Sequence, residues 1–503
     1  MIGIIAVSAV SVSVFARPPP TDAALQRFQQ QWCGPDAKAN SNAYVKEFVL
    51  PQECEMPAGI AFDGGQVWYV SAKRGLLGTY SASENKFSEY NIPEWPSLQQ
   101  PFTRVPSWSM SWAVKTDADG NVWFTDQNNA IWRFNKVSES FDVFRVPASY
   151  PSAIDFDTKG NIYFIGINSK SLYFGDVSKM KAGTSEGFTE IPLPLGGFDG
   201  IDLSIVTSGL LVVDNERNDV WLSLLAFQQK GQLFQYDIES NNIVRTVDLP
   251  ADLSSPVGGA LDNSGNLWVG DHGTNIFFKY DPANEELTKF VTSIASPRIF
   301  GGETPERAYT WPYWLEAGAD GSIWFNQHTG NKIARFDPGE LMLTEYWIPS
   351  QNRNWSVCPP NAPTCGIANA MQFAVGQDQV WFSEWTENKI ARLDFAKQVP
   401  LAVSTPEEIT VARGASAEIR VTLNAPGDFS GRMLAAGTFS PNGMLGNSSG
   451  IFSEESVSLS GGSKQVSYTF TPAENLAPGQ YVIMIGAENS DVSTLKAVRV
   501  NIV

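Results

Sequence analysis

Histidine is scarce in this chain: His272 and His328 are the only two among 503 residues, and there are only four cysteines. No C-x-x-C pair is present, which removes zinc-ribbon and thioredoxin-like spacings. No Walker loop, G-x-S-x-G elbow or H-E-x-x-H pair occurs, and the GG doublets at 196–197, 258–259 and 301–302 do not follow the dinucleotide fingerprint. Positive charge is also short. Against 53 acidic residues stand 35 basic ones, a net charge of −18, so the basic footprint of a nucleic-acid binder is absent and an anionic membrane surface would repel the chain. Charged residues make up only 17% and apolar ones 43%, which excludes disorder for most of the length.

What is abundant is tryptophan, glycine and proline, at 16, 42 and 31 residues, the composition of many short strands joined by turns. All sixteen Trp and all four Cys precede residue 386, which separates a Trp-rich part from a Trp-free one. Residues 2–16 are apolar and small and end in Val14-Phe15-Ala16, with small residues at the −3 and −1 positions of a signal-peptidase site. Residues 1–16 therefore read as a signal peptide and 17–43 as a linker, placing the protein in a secreted or cell-surface location. The apolar stretch is shorter than a bilayer span, so no membrane span remains after cleavage; an uncleaved anchor is the alternative. In an exported chain, Cys33, Cys54, Cys358 and Cys365 suit disulfides, and local pairing as Cys33–Cys54 and Cys358–Cys365 is the first choice among three connectivities.

Self-comparison gives the strongest signal. WFNQHTGNKIARFD at 324–337 returns as WFSEWTENKIARLD at 381–394, a displacement of 57 residues. Second strands centred on apolar or aromatic pairs are expected at 67–69, 122–124, 162–164, 210–212, 267–269, 323–325 and 380–382, which makes seven units of about 50 residues. Asp119-Gly120-Asn121, Lys159-Gly160-Asn161, Ser264-Gly265-Asn266 and Asp320-Gly321-Ser322 precede four of them and supply hairpin turns. The expected fold is all-β: a seven-bladed β-propeller over 44–396, its ring closed by strand 44–51, followed by an immunoglobulin-like β-sandwich over 397–503.

In such a ring the start of strand one and the end of strand two meet on one face. The residues expected at the end of strand two include Asp126, Asp214, Asp271 and Glu384, a ring of carboxylates able to hold Mg²⁺ or Ca²⁺ through oxygen, or else acids that cap turns. His272 and His328 occupy the next position in adjacent units, where an imidazole can act as base. With Glu384 they are the candidate catalytic residues. Trp311, Tyr313, Trp314 and Trp385 gather near the same face as candidates for stacking on a small molecule or surface glycan, or for packing under a loop. Nothing in the sequence fixes the oligomeric state.

The repeat P-x-G-[IL] … D-G-x-[LIV]-W-F-[TS]-E-x-x-x-N-K-I-[GA]-R resembles the streptogramin B lyase (virginiamycin B lyase) family of seven-bladed propellers. The resemblance covers 44–396 and is most specific at 324–337 and 381–394. It implies a Mg²⁺-dependent elimination that opens a cyclic depsipeptide at its ester, with histidine as base at the start of strand one in late blades and glutamates nearby. The family's Pro-His pair falls on Pro312-Tyr313, its last-blade histidine falls near Asn369, and its strand-two glutamate is kept as Glu384. Three readings stand: a binding protein without the family's catalytic histidines, a lyase with a relocated site, and a calcium-dependent lactonase-type propeller.

Overall fold

The computed structural model describes residues 38–93, 95, 110–148, 150–296, 299, 309–352 and 367–503. The signal segment, Cys33, Cys358 and Cys365 lie outside them. No helix among the described residues is long and apolar enough to cross a membrane.

Three of the blades grow from hairpins each welded by one aspartate. Asp262 accepts the backbone N–H of Ser264 and Asn266, and its other oxygen takes the Asn266 side chain and the Trp268 indole N–H at 2.9 Å. Asp117 and Asp157 do the same for Trp123 and Tyr163. Gly120, Gly160, Gly265 and Gly321 sit at φ near +80°, a conformation open to glycine without a Cβ clash. The second-strand aromatics then pack across to the next blade: Trp68 against Phe124 and Phe134, Trp268 against Phe325 and Phe336, Trp381 against Ile60 and Tyr80.

Six four-stranded antiparallel sheets stand separately. Five use consecutive strands within 57–91, 114–145, 151–192, 206–248 and 256–291. The other joins Ala370–Val375, Gln379–Glu384 and Lys389–Asp394 to Val45–Val49, with Val45 opposite Leu393 and Val49 opposite Lys389. One more quartet, Pro312–Ala317, Ile323–Gln327, Lys332–Asp337 and Met342–Trp347, does not end at its outer strand. Met342–Trp347 pairs antiparallel with Val492–Ile502, so these four strands open an eleven-stranded sheet. The expected seven independent blades are corrected to a β-propeller with six self-contained ones, because this edge is covered by pairing rather than left free. The first strands pack side by side, Pro312–Ala317 lying between Pro256–Leu261 and Ala370–Val375.

The fourth unit also differs from expectation. Leu210-Leu211-Val212 belongs to the first strand, Val206–Asp214, and the second strand is Asp219–Ala226, whose Trp221 packs on Leu267, Val269 and Phe278.

The strands of residues 402–502 all belong to the eleven-stranded sheet, so the hydrogen bonds do not show the two separate sheets of an immunoglobulin-like sandwich. Ala417–Gly437 explains why. This 21-residue strand shifts register between Ala425 and Asp428, pairs with Ala402–Ser404 in its first half and with Gly479–Glu488 at its end, and carries the sheet from one side of its core to the other. That core includes Ile419, Val421, Tyr468, Phe470, Ile485 and Val500.

Candidate functional site

Strand geometry decides what faces the axis, because side chains alternate sides along a strand. The second strands end at Gly166, Ala226, Asp271, Gln327 and Glu384, paired with the starts of first strands at Pro151, Val206, Pro256, Pro312 and Ala370. The residues one step further on are Ile167, Phe227, His272, His328 and Trp385. All five line one cavity of about 910 Å³, whereas Asp126, Asp271, Gln327 and Glu384 do not reach it. First strands supply much of the remaining wall, including Leu210, Val212, Gly259, Ala260, Tyr313 and Trp314.

The two histidines come together on the cavity wall. Their rings lie 5.2 Å apart and nearly parallel, at 16°, and the Tyr313 ring touches both, 4.8 Å from His272 and 5.1 Å from His328. Trp311 packs on His272 at 5.2 Å and on Phe227 at 6.1 Å. Burial pushes the His328 imidazole down to about 4, the Asn369 side chain beside it pulling the other way. His272 is held well below the ordinary range, first by burial and then by the neighbouring imidazole, against the opposing Pro312 carbonyl. Both are therefore neutral at pH 7, and Nδ1 of each is buried without a hydrogen bond of regular geometry. Burial likewise raises the Tyr313 phenol, which stays protonated.

The same cavity is charged at Lys115, Asp155 and Glu316. Lys115 Nζ is 2.8 Å from Asp155, which also accepts the Val213 N–H at 3.1 Å; Glu316 accepts the Val375 N–H at 3.0 Å and the Trp314 indole N–H at 3.2 Å. Burial raises the Glu316 carboxyl, Lys115 opposing. Each acid thus ties its own first strand to the neighbouring one while facing the cavity. Sequence reasoning passed over all three; their only signal was charge in otherwise apolar first strands.

Crystal structures of known proteins share this architecture. Selenomethionine-substituted virginiamycin B lyase from Staphylococcus aureus aligns with a TM-score of 0.52 and 22% identity, over 70% of this chain and 98% of its own. A streptogramin B lyase structure aligns with a TM-score of 0.51 and 21% identity, over 70% and 99%. A catalytically inactive histidine-to-alanine variant of the Staphylococcus aureus enzyme with quinupristin gives 0.51 and 22%, over 70% and 98%. This chain has the fold of virginiamycin B lyase. No family model matches the sequence, and no curated protein does.

Tyr313 packs against both histidines, and Asn369 lies beside His328. Tyr313, Trp314 and Trp385 line the cavity; Trp311 stands behind His272.

The acids expected to form a cation site do not converge, and no group of three His, Cys, Asp or Glu among the described residues is arranged to hold a metal. Asp126 accepts the Asn128 N–H and the Trp132 indole N–H. Asp271 accepts the backbone N–H of Ser255 and Gly273, and burial pushes it up to about 6. Asp214 ends a first strand and holds Arg217 at 3.1 Å. Among the described residues these acids therefore form no shared site for the Mg²⁺ or Ca²⁺ that the sequence suggested. Glu384 lies in a buried group with Glu47, Glu387 and Lys389, away from the cavity; burial and the neighbouring carboxylates, Glu47 foremost, push its carboxyl well up against the pull of Lys389. Cys54 is disulfide-bonded, and the connectivity lies outside the described residues.

Proposed function

We propose that the chain is an exported β-propeller protein that binds a small molecule in the axial cavity, with the quartet of residues 312–347 serving as its seventh blade. One observation carries this reading: the residues just past five second strands turn inward to form an aromatic and imidazole wall, while the carboxylates one step earlier turn away. A cavity of about 910 Å³ lies within the size range of small-molecule sites, roughly 300–1,000 Å³. Its apolar walls suit an apolar or aromatic body, and two neutral imidazoles offer lone pairs to ligand N–H or O–H groups.

Tryptophan emission, titrated with cyclic depsipeptides, lactones and oligosaccharides, tests the reading. Quenching by one of these classes, weakened at least tenfold by Trp385→Ala and by His328→Ala, is the expected result. Emission unmoved by all three classes would count against a cavity ligand of this kind.

A second reading, a lyase with a relocated base, draws on the two neutral imidazoles flanking Tyr313 and Asn369. A neutral imidazole can take the proton beside the ester-bearing carbon as the C–O bond breaks. Mass spectrometry of a cyclic depsipeptide after incubation separates the chemistries. Elimination yields an open chain of unchanged mass, and hydrolysis adds one water; an intact substrate with bound-state quenching leaves the binding reading. Calorimetry with Mg²⁺ and Ca²⁺ tests the metal-dependent alternatives.

A further inference from the structure

The C-terminal region reaches both histidine-bearing turns, through the turn at Pro441 and Asn442 on one side and through the strand Val492–Ile502 on the other. On the His272 side, the buried Asn275 follows three residues after the imidazole. Its backbone N–H donates to the Pro441 carbonyl at 2.9 Å, its side-chain amide donates to the Asn442 carbonyl, and its side-chain oxygen accepts from the Thr310 N–H and hydroxyl. Thr310 leads into Trp311, whose N–H donates to the Thr274 carbonyl at 3.2 Å and whose ring covers His272. The Trp311 carbonyl in turn accepts the His328 N–H at 3.0 Å.

On the His328 side, the preceding Gln327 donates to Glu345 at 2.6 Å, and the other Glu345 oxygen accepts the Ser493 hydroxyl at 2.7 Å. Ser493 lies on the strand that pairs with Met342–Trp347. Asn275, Thr310, Gln327, Glu345 and Ser493 are buried, and among buried groups hydrogen-bond geometry is held tightly and a lost partner is costly.

We propose that the C-terminal region is a positioning element for the imidazole wall of the cavity, acting on His272 through Asn275 and on His328 through Gln327 and Glu345. Its consequence for binding rests on the cavity reading above, but its test uses no ligand. The chain has two histidines, so long-range proton–nitrogen NMR of the imidazoles gives two signals to follow. Asn275→Asp keeps the acceptor for Thr310 and removes the donor to Asn442; Ser493→Val removes the hydroxyl bonded to Glu345.

The expected result is that Asn275→Asp moves the His272 signal by more than its linewidth and Ser493→Val moves the His328 signal, while Ser493→Thr leaves it in place. Gly443→Ala covers the case in which a buried aspartate prevents folding. Gly443 sits at φ +71°, and an added Cβ would come 3.0 Å from the Asn275 amide, so His272 should shift there as well. Ile451→Ser, at an exposed position on the strand Ser449–Phe452, is the control and should leave both signals unmoved. Unshifted imidazoles in folded Gly443→Ala and Ser493→Val, or equal shifts in the control, would overturn the proposal. Failure of every ligand to bind would leave this result unaffected.

Discussion

Gln327 and Glu384 hold the same place in neighbouring repeats, and the difference between them is informative. Gln327 stands opposite Lys332 and donates to Glu345; Glu384 stands opposite Lys389, with Glu47 where Glu345 would be. A carboxylate cannot donate, and both Glu384 oxygens are buried without a hydrogen bond. Glu384→Gln should therefore stabilise the fold by about 1–3 kcal/mol at pH 7. A carboxyl whose folded pKa is raised loses stability as pH rises above its unfolded value, so the gain should be larger at pH 8 than at pH 5. Urea unfolding at both pH values checks this; a variant less stable than the parent at both would contradict it. His328 carries the opposite sign. Its folded pKa of about 4 lies below the ordinary 6.5, so the unfolded chain binds a proton that the fold refuses, and stability falls as pH drops from 6.5 towards 4. His328→Gln should remove up to about 2 kcal/mol of that loss between pH 7 and pH 5, read as a smaller fall in Tm over that range than the parent shows. Asp271, pushed up to about 6, gains as pH falls and remains in both proteins, so the comparison isolates the histidine.

At the scale of the element, the hairpins were most readable where a turn combines an aspartate, a glycine at positive φ and an aromatic donor within seven residues, as at 117–123, 157–163 and 262–268. The fourth unit hid itself by turn chemistry. Between its first two strands the positive-φ residue is Asn218, not glycine, and Leu210-Leu211-Val212 offers the apolar run expected of a second strand. The register error moved Asp214 onto the wrong face. The cavity-lining position was readable to within one residue, since His272 and His328 were singled out, but the acids next to them were placed on the same surface although alternation turns them away. Val45–Val49 carries a testable element of its own. Glu47 is buried, 2.9 Å from buried Lys389 and 2.7 Å from Ser350. Glu47→Ala would leave Lys389 without its closest carboxylate, a change that typically costs about 3–5 kcal/mol, and guanidinium unfolding should show it. A loss under 1 kcal/mol would mean that Glu387 and Ser350 satisfy the lysine unaided.

Over the whole molecule, the C-terminal strands cover an edge that most blades leave to solvent. Pairing between strands far apart in sequence has no local signature, which is why composition divided the chain near residue 396 while the sheet runs across that division. Beneath the junction, Phe290, Phe336 and Leu343 pack with Val482, Met484 and Leu495 in one apolar cluster. A chain ending at residue 396 would expose both the apolar surface and the unpaired N–H and C=O groups of Met342–Trp347, the combination that templates pairing with another copy. Such a truncated protein should therefore self-associate in a concentration-dependent way, as seen by light scattering, while the full-length protein does not gain mass over the same range. Two mechanisms would be at work, and Thr344→Lys separates them: a charge on the open edge blocks strand pairing but leaves the apolar cluster bare. If the edge dominates, the substitution restores the monomer; if the apolar surface dominates, association persists. A truncated protein that stays monomeric and melts as the full chain does would mean that neither surface depends on the C-terminal strands.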